Sequence, residues 1–146
     1  MRRYTYSTAS VSASIDGLIG VGIVTGVVSG ANARQIIADS VTWGCGPAPL
    51  ANLVNYQGAV VAIQADKLFM AAKMAGRLGG IMATPTAIVA TADQIEMFRD
   101  YAELSMQAGV LKAAFTNPAD ARRWAARQAV IRGQWLQRRG VSSVSP

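Results

Sequence analysis

Three short apolar runs, each followed by a helix-like pattern, constrain the fold more than any other feature of this chain. Residues 58–63 (GAVVAI), 85–90 (PTAIVA) and 110–115 (VLKAAF) have strand length and are bounded by turn-forming residues. The first is continuously apolar, as strands buried on both faces are, and the second reads as another buried strand. After the first run, Asp66 and Gly79-Gly80 bracket Leu68, Ala71, Ala72, Ala75 and Leu78 at helical spacing. After the second, Thr91 and Gln94 fit a capping box, and Ile95, Phe98, Ala102 and Ser105 form one stripe of a helix ending near Gly109. After the third, Asn117-Pro118-Ala119-Asp120 supplies a cap, a proline at the first helical position and a carboxylate in the first turn. The helix it opens carries Trp124, Ala125, Gln128, Ile131 and Trp135 on one side and runs to about Gln137. Strands that alternate with helices in this way call for a parallel or mixed sheet, with the crossover helices laid on its faces.

The N-terminal segment reads differently. Residues 4–15 are rich in Thr, Ser, Tyr and Val, and Asp16-Gly17 marks a turn, so a hairpin is expected. In the second arm Ile19, Val21, Ile23, Thr25 and Val27 are β-branched, whereas Gly20, Gly22 and Gly26 leave the alternate face nearly bare. Such a row of glycines implies that a helix or a ligand approaches closely. The spacing Gly20-x-Gly22-x-x-x-Gly26 misses the dinucleotide fingerprint and lies within a strand pattern. Asn32 is placed to cap a helix bearing Ile36, Ile37, Ser40 and Val41, which closes at Gly44-Cys45-Gly46-Pro47; residues 47–55 read as a loop. The expected architecture is α/β, a mixed sheet of about five strands with packed helices. At 146 residues it makes a single domain over 1–140 and a frayed tail over 141–146.

The residue inventory removes most catalytic chemistry. There is no histidine, one cysteine (Cys45) and eight carboxylates, so histidine catalysis, histidine metal ligation, internal disulfides and CxxC motifs are excluded. A serine nucleophile would need Lys67, Lys73 or Lys112 buried beside it, and no spacing argues for that. Asp93, Glu96, Asp100 and Glu103 sit at three- and four-residue steps and read as a solvated face with Arg99 paired to Glu96 or Glu103, not as a metal site. Met70, Met74, Met82, Met97 and Met106 read as core filling, and Trp43 and Cys45 as loop packing. No cofactor and no metal are expected. Residues 17–33 are too short and glycine-rich to span a membrane, and residues 41–65 are broken by Pro47, Pro49, Asn52, Asn55 and Gln57. The N-terminus lacks the apolar core of an export signal, and a lone cysteine fits the cytoplasm.

The charge is unevenly spread. The net charge is +6, and residues 1–120 carry equal numbers of basic and acidic side chains. The excess comes from Arg122, Arg123, Arg127, Arg132, Arg138 and Arg139. This basic face has two readings: recognition of phosphate, nucleic acid or an acidic partner through guanidinium forks, or a solvated face near a helix C-terminus. On the same helix Ile131, Trp135 and Leu136 lie toward the distal end, beyond the reach of a small sheet, so either the helix bends onto its own domain or, the favoured reading, that end packs against a second copy with Arg132, Arg138 and Arg139 as rim.

The last third of the chain, PTAIVATADQIEMFRDYAELSMQAGVLKAAFTNPADARRWAARQ, resembles the C-terminal half of STAS-like domains, the modules shared by anti-sigma factor antagonists and sulfate-transporter tails, and in particular the small bacterial SpoIIAA-like group. Met97, Phe98, Tyr101, Phe115, Ala121 and Trp124 carry the resemblance, which extends over residues 4–130. In anti-sigma factor antagonists the turn after the central strand holds an Asp-Ser pair whose serine is phosphorylated to break partner binding. The matching stretch here is Ile63-Gln64-Ala65-Asp66-Lys67, without a hydroxyl. The resemblance therefore implies a cytoplasmic, non-enzymatic interaction or regulatory module without that phospho-switch, with Gln64, Ala65, Asp66 and Lys67 as the loop for a partner or an anion. The alternatives are carriage of a small apolar or lipid-like ligand, and anion or nucleic-acid binding by the arginine helix.

Overall fold

The computed structural model describes residues 1–40, 49–78 and 84–140, excluding the side chains at 37, 40, 65, 75, 76 and 78. The N-terminal segment forms three antiparallel strands, β1 (Arg2–Thr5), β2 (Ala9–Asp16) and β3 (Ile19–Ser29). The expected first strand is thus two. Tyr6 and Ala9 exchange backbone hydrogen bonds across a tight turn, which reverses the chain and raises the sheet to six strands. The remainder is α1 (Gly30–Ser40), β4 (Ala51–Ala62), α2 (Ala65–Leu78), β5 (Thr86–Val89), α3 (Ile95–Gln107), β6 (Lys112–Phe115) and α4 (Pro118–Arg138).

Strand order follows chain order, β1-β2-β3-β4-β5-β6, with β3 to β6 parallel. Successive crossovers move the same way across the sheet, and one handedness puts α1, α2 and α3 on one face. There α1 covers Val11, Val24, Val28 and Ala59 with Ala33 and Ile36, and α3 covers Ile88 with Ile95 and Phe98. The other face belongs to α4, whose Ala121, Ala125 and Ala129 pack on Ile19, Ala51, Leu53, Ala87 and Val89. Four-residue steps place these alanines on one stripe, and their small size brings the helix close to the strands. Trp124 and Leu136 flank the stripe, Trp124 lying 6.1 Å from Phe115 between ring centroids.

Several expectations shift. The cap of α1 is Ser29, whose Oγ accepts from the Asn32 N–H at 3.3 Å; Asn32 instead ties the helix to Thr8 Oγ1 at 2.7 Å. Residues 51–55 are strand, not loop. Ala51 and Leu53 are buried and Asn52 alternates with them, while Asn55 closes the run at the bulge, as β4 pairs with β3 and β5. Asn55 Oδ1 accepts from the Gln57 N–H at 2.8 Å, where β4 bulges against β3. Gln94 takes the N-cap position of α3 without a side-chain cap bond, so the capping box is absent. Asn117 does cap α4, its Oδ1 accepting from the Ala119 N–H at 2.8 Å.

The bare face of β3 is approached by the chain itself. A Cβ on Gly20 would lie 2.5 Å from Asn52 Oδ1, and one on Gly26 would lie 2.3 Å from the Thr8 carbonyl oxygen. Gly26 also has φ +89°, so this position is closed to side chains twice over. The chain segments expected around Trp43, Cys45, Gly79-Gly80, Met82 and the 141–146 tail lie outside the described residues.

Candidate functional site

The parallel strands β3 and β4 end side by side, with Ser29 opposite Ala62, and each leads directly into a helix. The N-termini of α1 and α2 therefore lie together at the carboxyl end of the parallel strands, where open α/β folds present their ligand sites. Asp66 stands in the first turn of α2, where the helix dipole favours a carboxylate. The Leu68 N–H closes the first helical bond onto the Gln64 carbonyl at 3.0 Å. Gln64, Asp66 and Lys67 are exposed, so the turn predicted to meet a partner is open to one.

Beside this turn a groove of about 450 Å³ runs between α1 and α2. Arg34, Lys67, Lys73 and Arg77 line it, and among the described residues no carboxylate does. Apolar wall comes from Ile63, Phe69, Met70 and Met74. The α2 helix builds this mixture because Leu68 and Ala72 are buried, which turns Phe69, Met70 and the basic residues outward. The Lys73 ammonium lies 5.1 Å from the Phe69 ring centroid. Among the described residues none of these four cations is ion-paired. Sequence reasoning reached Lys67 and Lys73 but not Arg34 or Arg77, which have no motif spacing and meet only through the crossover.

The arginines of α4 do not make one face. Arg122 pairs with Asp16 at 2.7 Å and Arg123 with Asp120, while the Arg139 guanidinium stacks on Trp135 at 4.4 Å from its centroid. Arg132 falls in line with Ala125 and Ala129 and is half-buried, whereas Arg127 and Arg138 are exposed. The residues expected at a dimer contact separate as well. Ile131 and Trp135 are 48% and 45% exposed, but Leu136 packs into the chain's own core. The buried stripe is thus rotated toward the alanines and away from Ile131 and Trp135.

Elsewhere, Arg99 pairs with Glu96 at 2.8 Å on the exposed side of α3. Met97 packs against the core under α3, while Met106 is exposed. Lys112 is buried and donates to the Tyr101 hydroxyl at 2.9 Å, with no serine beside it in that contact. Tyr56 stacks on Phe98 at 4.7 Å, and burial, then the neighbouring Tyr101, push its phenol well above the usual value. Among the described residues no group of histidine, cysteine, aspartate or glutamate is arranged to hold a metal, and no helix is long and apolar enough to cross a membrane.

Comparison of the sequence with protein-family models and with curated proteins gives no match. The structure, however, is similar to an anti-sigma factor antagonist from Mycobacterium paratuberculosis, with a TM-score of 0.56 and 16% identity over 82% of this chain and 95% of that one. It is similar also to an uncharacterised protein with a SpoIIAA-like fold from Shewanella loihica, with a TM-score of 0.51 and 12% identity over 84% of this chain and 97% of that one. The fold is STAS-like. At these identities the likeness is one of fold, and it covers nearly the whole of both neighbours. Within the STAS-like frame the groove and the turn at 64–67 occupy one corner, on the face covered by α1, α2 and α3.

Proposed function

We propose that the chain is a non-catalytic regulatory module that docks a protein partner through the turn at 64–67, and that this docking is not switched by phosphorylation of the turn. The observation that carries the reading is the exposed, charged turn at the start of α2, set in a fold similar to that of an anti-sigma factor antagonist. Gln64, Asp66 and Lys67 have no side-chain partner among the described residues, so their hydrogen-bonding capacity is available to another molecule. Addition of a phosphate, with nearly two negative charges, would need a hydroxyl that positions 63–67 do not have. Partner choice then rests on the fixed opposite charges of Asp66 and Lys67, which give orientation and encounter rate more than affinity.

The test is photo-crosslinking in bacterial cells from a benzoyl-phenylalanine placed at Gln64. One defined protein should be captured by the full chain and lost on Asp66→Lys with Lys67→Glu, while the melting temperature of the exchanged variant stays at the parent value. Capture that is indifferent to the charge exchange refutes docking at this turn.

A further inference from the structure

We infer that the groove between α1 and α2 binds a single-chain amphiphile with an anionic head, an alkyl carboxylate or alkyl phosphate, taken up as a monomer. The cavity of about 450 Å³ is of the size that holds a small ligand, and its walls divide into two chemistries. Arg34 from α1 and Lys67, Lys73 and Arg77 from α2 converge without a carboxylate among the described lining residues. Lys73 and Arg77 are one helical turn apart, where like charges repel, and Arg34 adds a further cation from across the groove. A cleft lined by one sign of charge concentrates the opposite ion. Gly30, the first residue of α1, also lines it, so the positive end of that helix dipole faces the same space.

The rest of the wall calls for a hydrocarbon chain. Phe69 and Met70 remain 44% and 51% exposed, and Ile63 and Met74 continue the apolar surface. Methionine adapts to irregular apolar ligands, and covering these side chains recovers the free energy that water contact costs. Because Lys73 lies over Phe69, charge and apolar surface adjoin, as head and tail do in an amphiphile. An inorganic anion would leave the apolar wall wet. A bilayer would need these side chains to project from a convex surface, whereas they line a concave one. A helix about 10–12 Å across is too broad for a small-ligand cavity. The inference goes beyond protein docking and does not rest on it, although the two share Lys67.

Calorimetric titration of the full chain with dodecyl phosphate below its micelle concentration tests this without any protein partner. Saturation at one molecule per chain is expected. Each methylene withdrawn from water is worth about fourfold in affinity, so butyl phosphate should bind more than about a hundredfold more weakly. Arg34→Glu with Arg77→Glu should weaken dodecyl phosphate by at least about tenfold, with an unchanged melting temperature. If that variant melts early, Lys73→Gln alone should still weaken binding while dodecanol, which has no charge, binds parent and variant alike. The proposal is overturned by any of four results: no heat from dodecyl phosphate, equal affinity for inorganic phosphate, flotation with phosphatidylglycerol vesicles in place of monomer binding, or indifference to the charge changes.

Discussion

Gln94 stands opposite Val61 as though it were a strand residue: its Oε1 accepts from the Val61 N–H at 2.7 Å, and its Nε2 donates to the Ala59 carbonyl at 3.0 Å. Strand β5 pairs with β4 only at Asn52 to Asn55, which leaves the far half of that edge of β4 without a neighbouring strand. A side-chain amide carries the donor and acceptor of a peptide group, so the start of α3 completes the ladder that β5 is too short to extend. Gln94→Ala should cost about 1–3 kcal/mol, the range for stranding buried polar groups, measured by urea unfolding. Gln94→Glu, which loses the donor to Ala59, should recover only part of this.

The alanine stripe of α4 predicts sensitivity to enlargement. Ala125 is fully buried against the sheet, so Ala125→Leu must push the helix outward or strain its neighbours, at a cost of about 1–3 kcal/mol. Val130, which is exposed on the opposite side of the helix from the alanine stripe, should accept the same leucine within about 0.5 kcal/mol. Thermal melts of the two variants make the comparison.

Trp124 is half-buried and packs on Phe115 at the edge of the stripe. Trp124→Ala should therefore cost about 2–3 kcal/mol, below the usual range for a fully enclosed aromatic. Asn117→Ala, which frees the Ala119 N–H at the start of the same helix, should cost about 1 kcal/mol. An equal loss from both would mean that the tryptophan contributes no more than the cap.

Alkali should act through Tyr56. Its phenol is pushed above the ordinary value by burial first and by Tyr101 second. A folded value above the unfolded one means that the unfolded chain releases the proton first. The contribution of Tyr56 is then complete below about pH 10 and declines as pH rises past it. Tyr56→Phe should match the parent near neutral pH and melt at a higher temperature than the parent above about pH 10. A parallel decline in both proteins would sink the assignment.

How far the sequence could be read depended on whether local pattern and tertiary role agreed. From residue 85 onward they agree: β5, α3, β6 and the capped start of α4 lie where apolar runs, helical stripes and the Asn117-Pro118 signal put them. In β4 they conflict, because Asn52 and Asn55 look like loop residues, although the alternation of Ala51 and Leu53 was there to be seen. On α4 the large side chains of Ile131 and Trp135 dominate a pattern reading, whereas the sheet selects the small ones for close approach. The charge excess after Asp120 drew attention to α4, but those arginines are divided among ion pairs, a ring contact and solvent. The denser cation cluster arises where Arg34 and Arg77 meet across two helices, a juxtaposition that no local spacing encodes.

Because every strand lies next to the one that precedes it in the chain, the sheet can be laid down in the order of synthesis, edge to edge, with no strand inserted between two already placed. The helix that covers its second face is nevertheless made only after all six of these strands. A nascent chain that has emerged only as far as β6 carries the bare surface of Ile19, Leu53 and Val89, and this is the stage at which it is most exposed to aggregation and most in need of a chaperone.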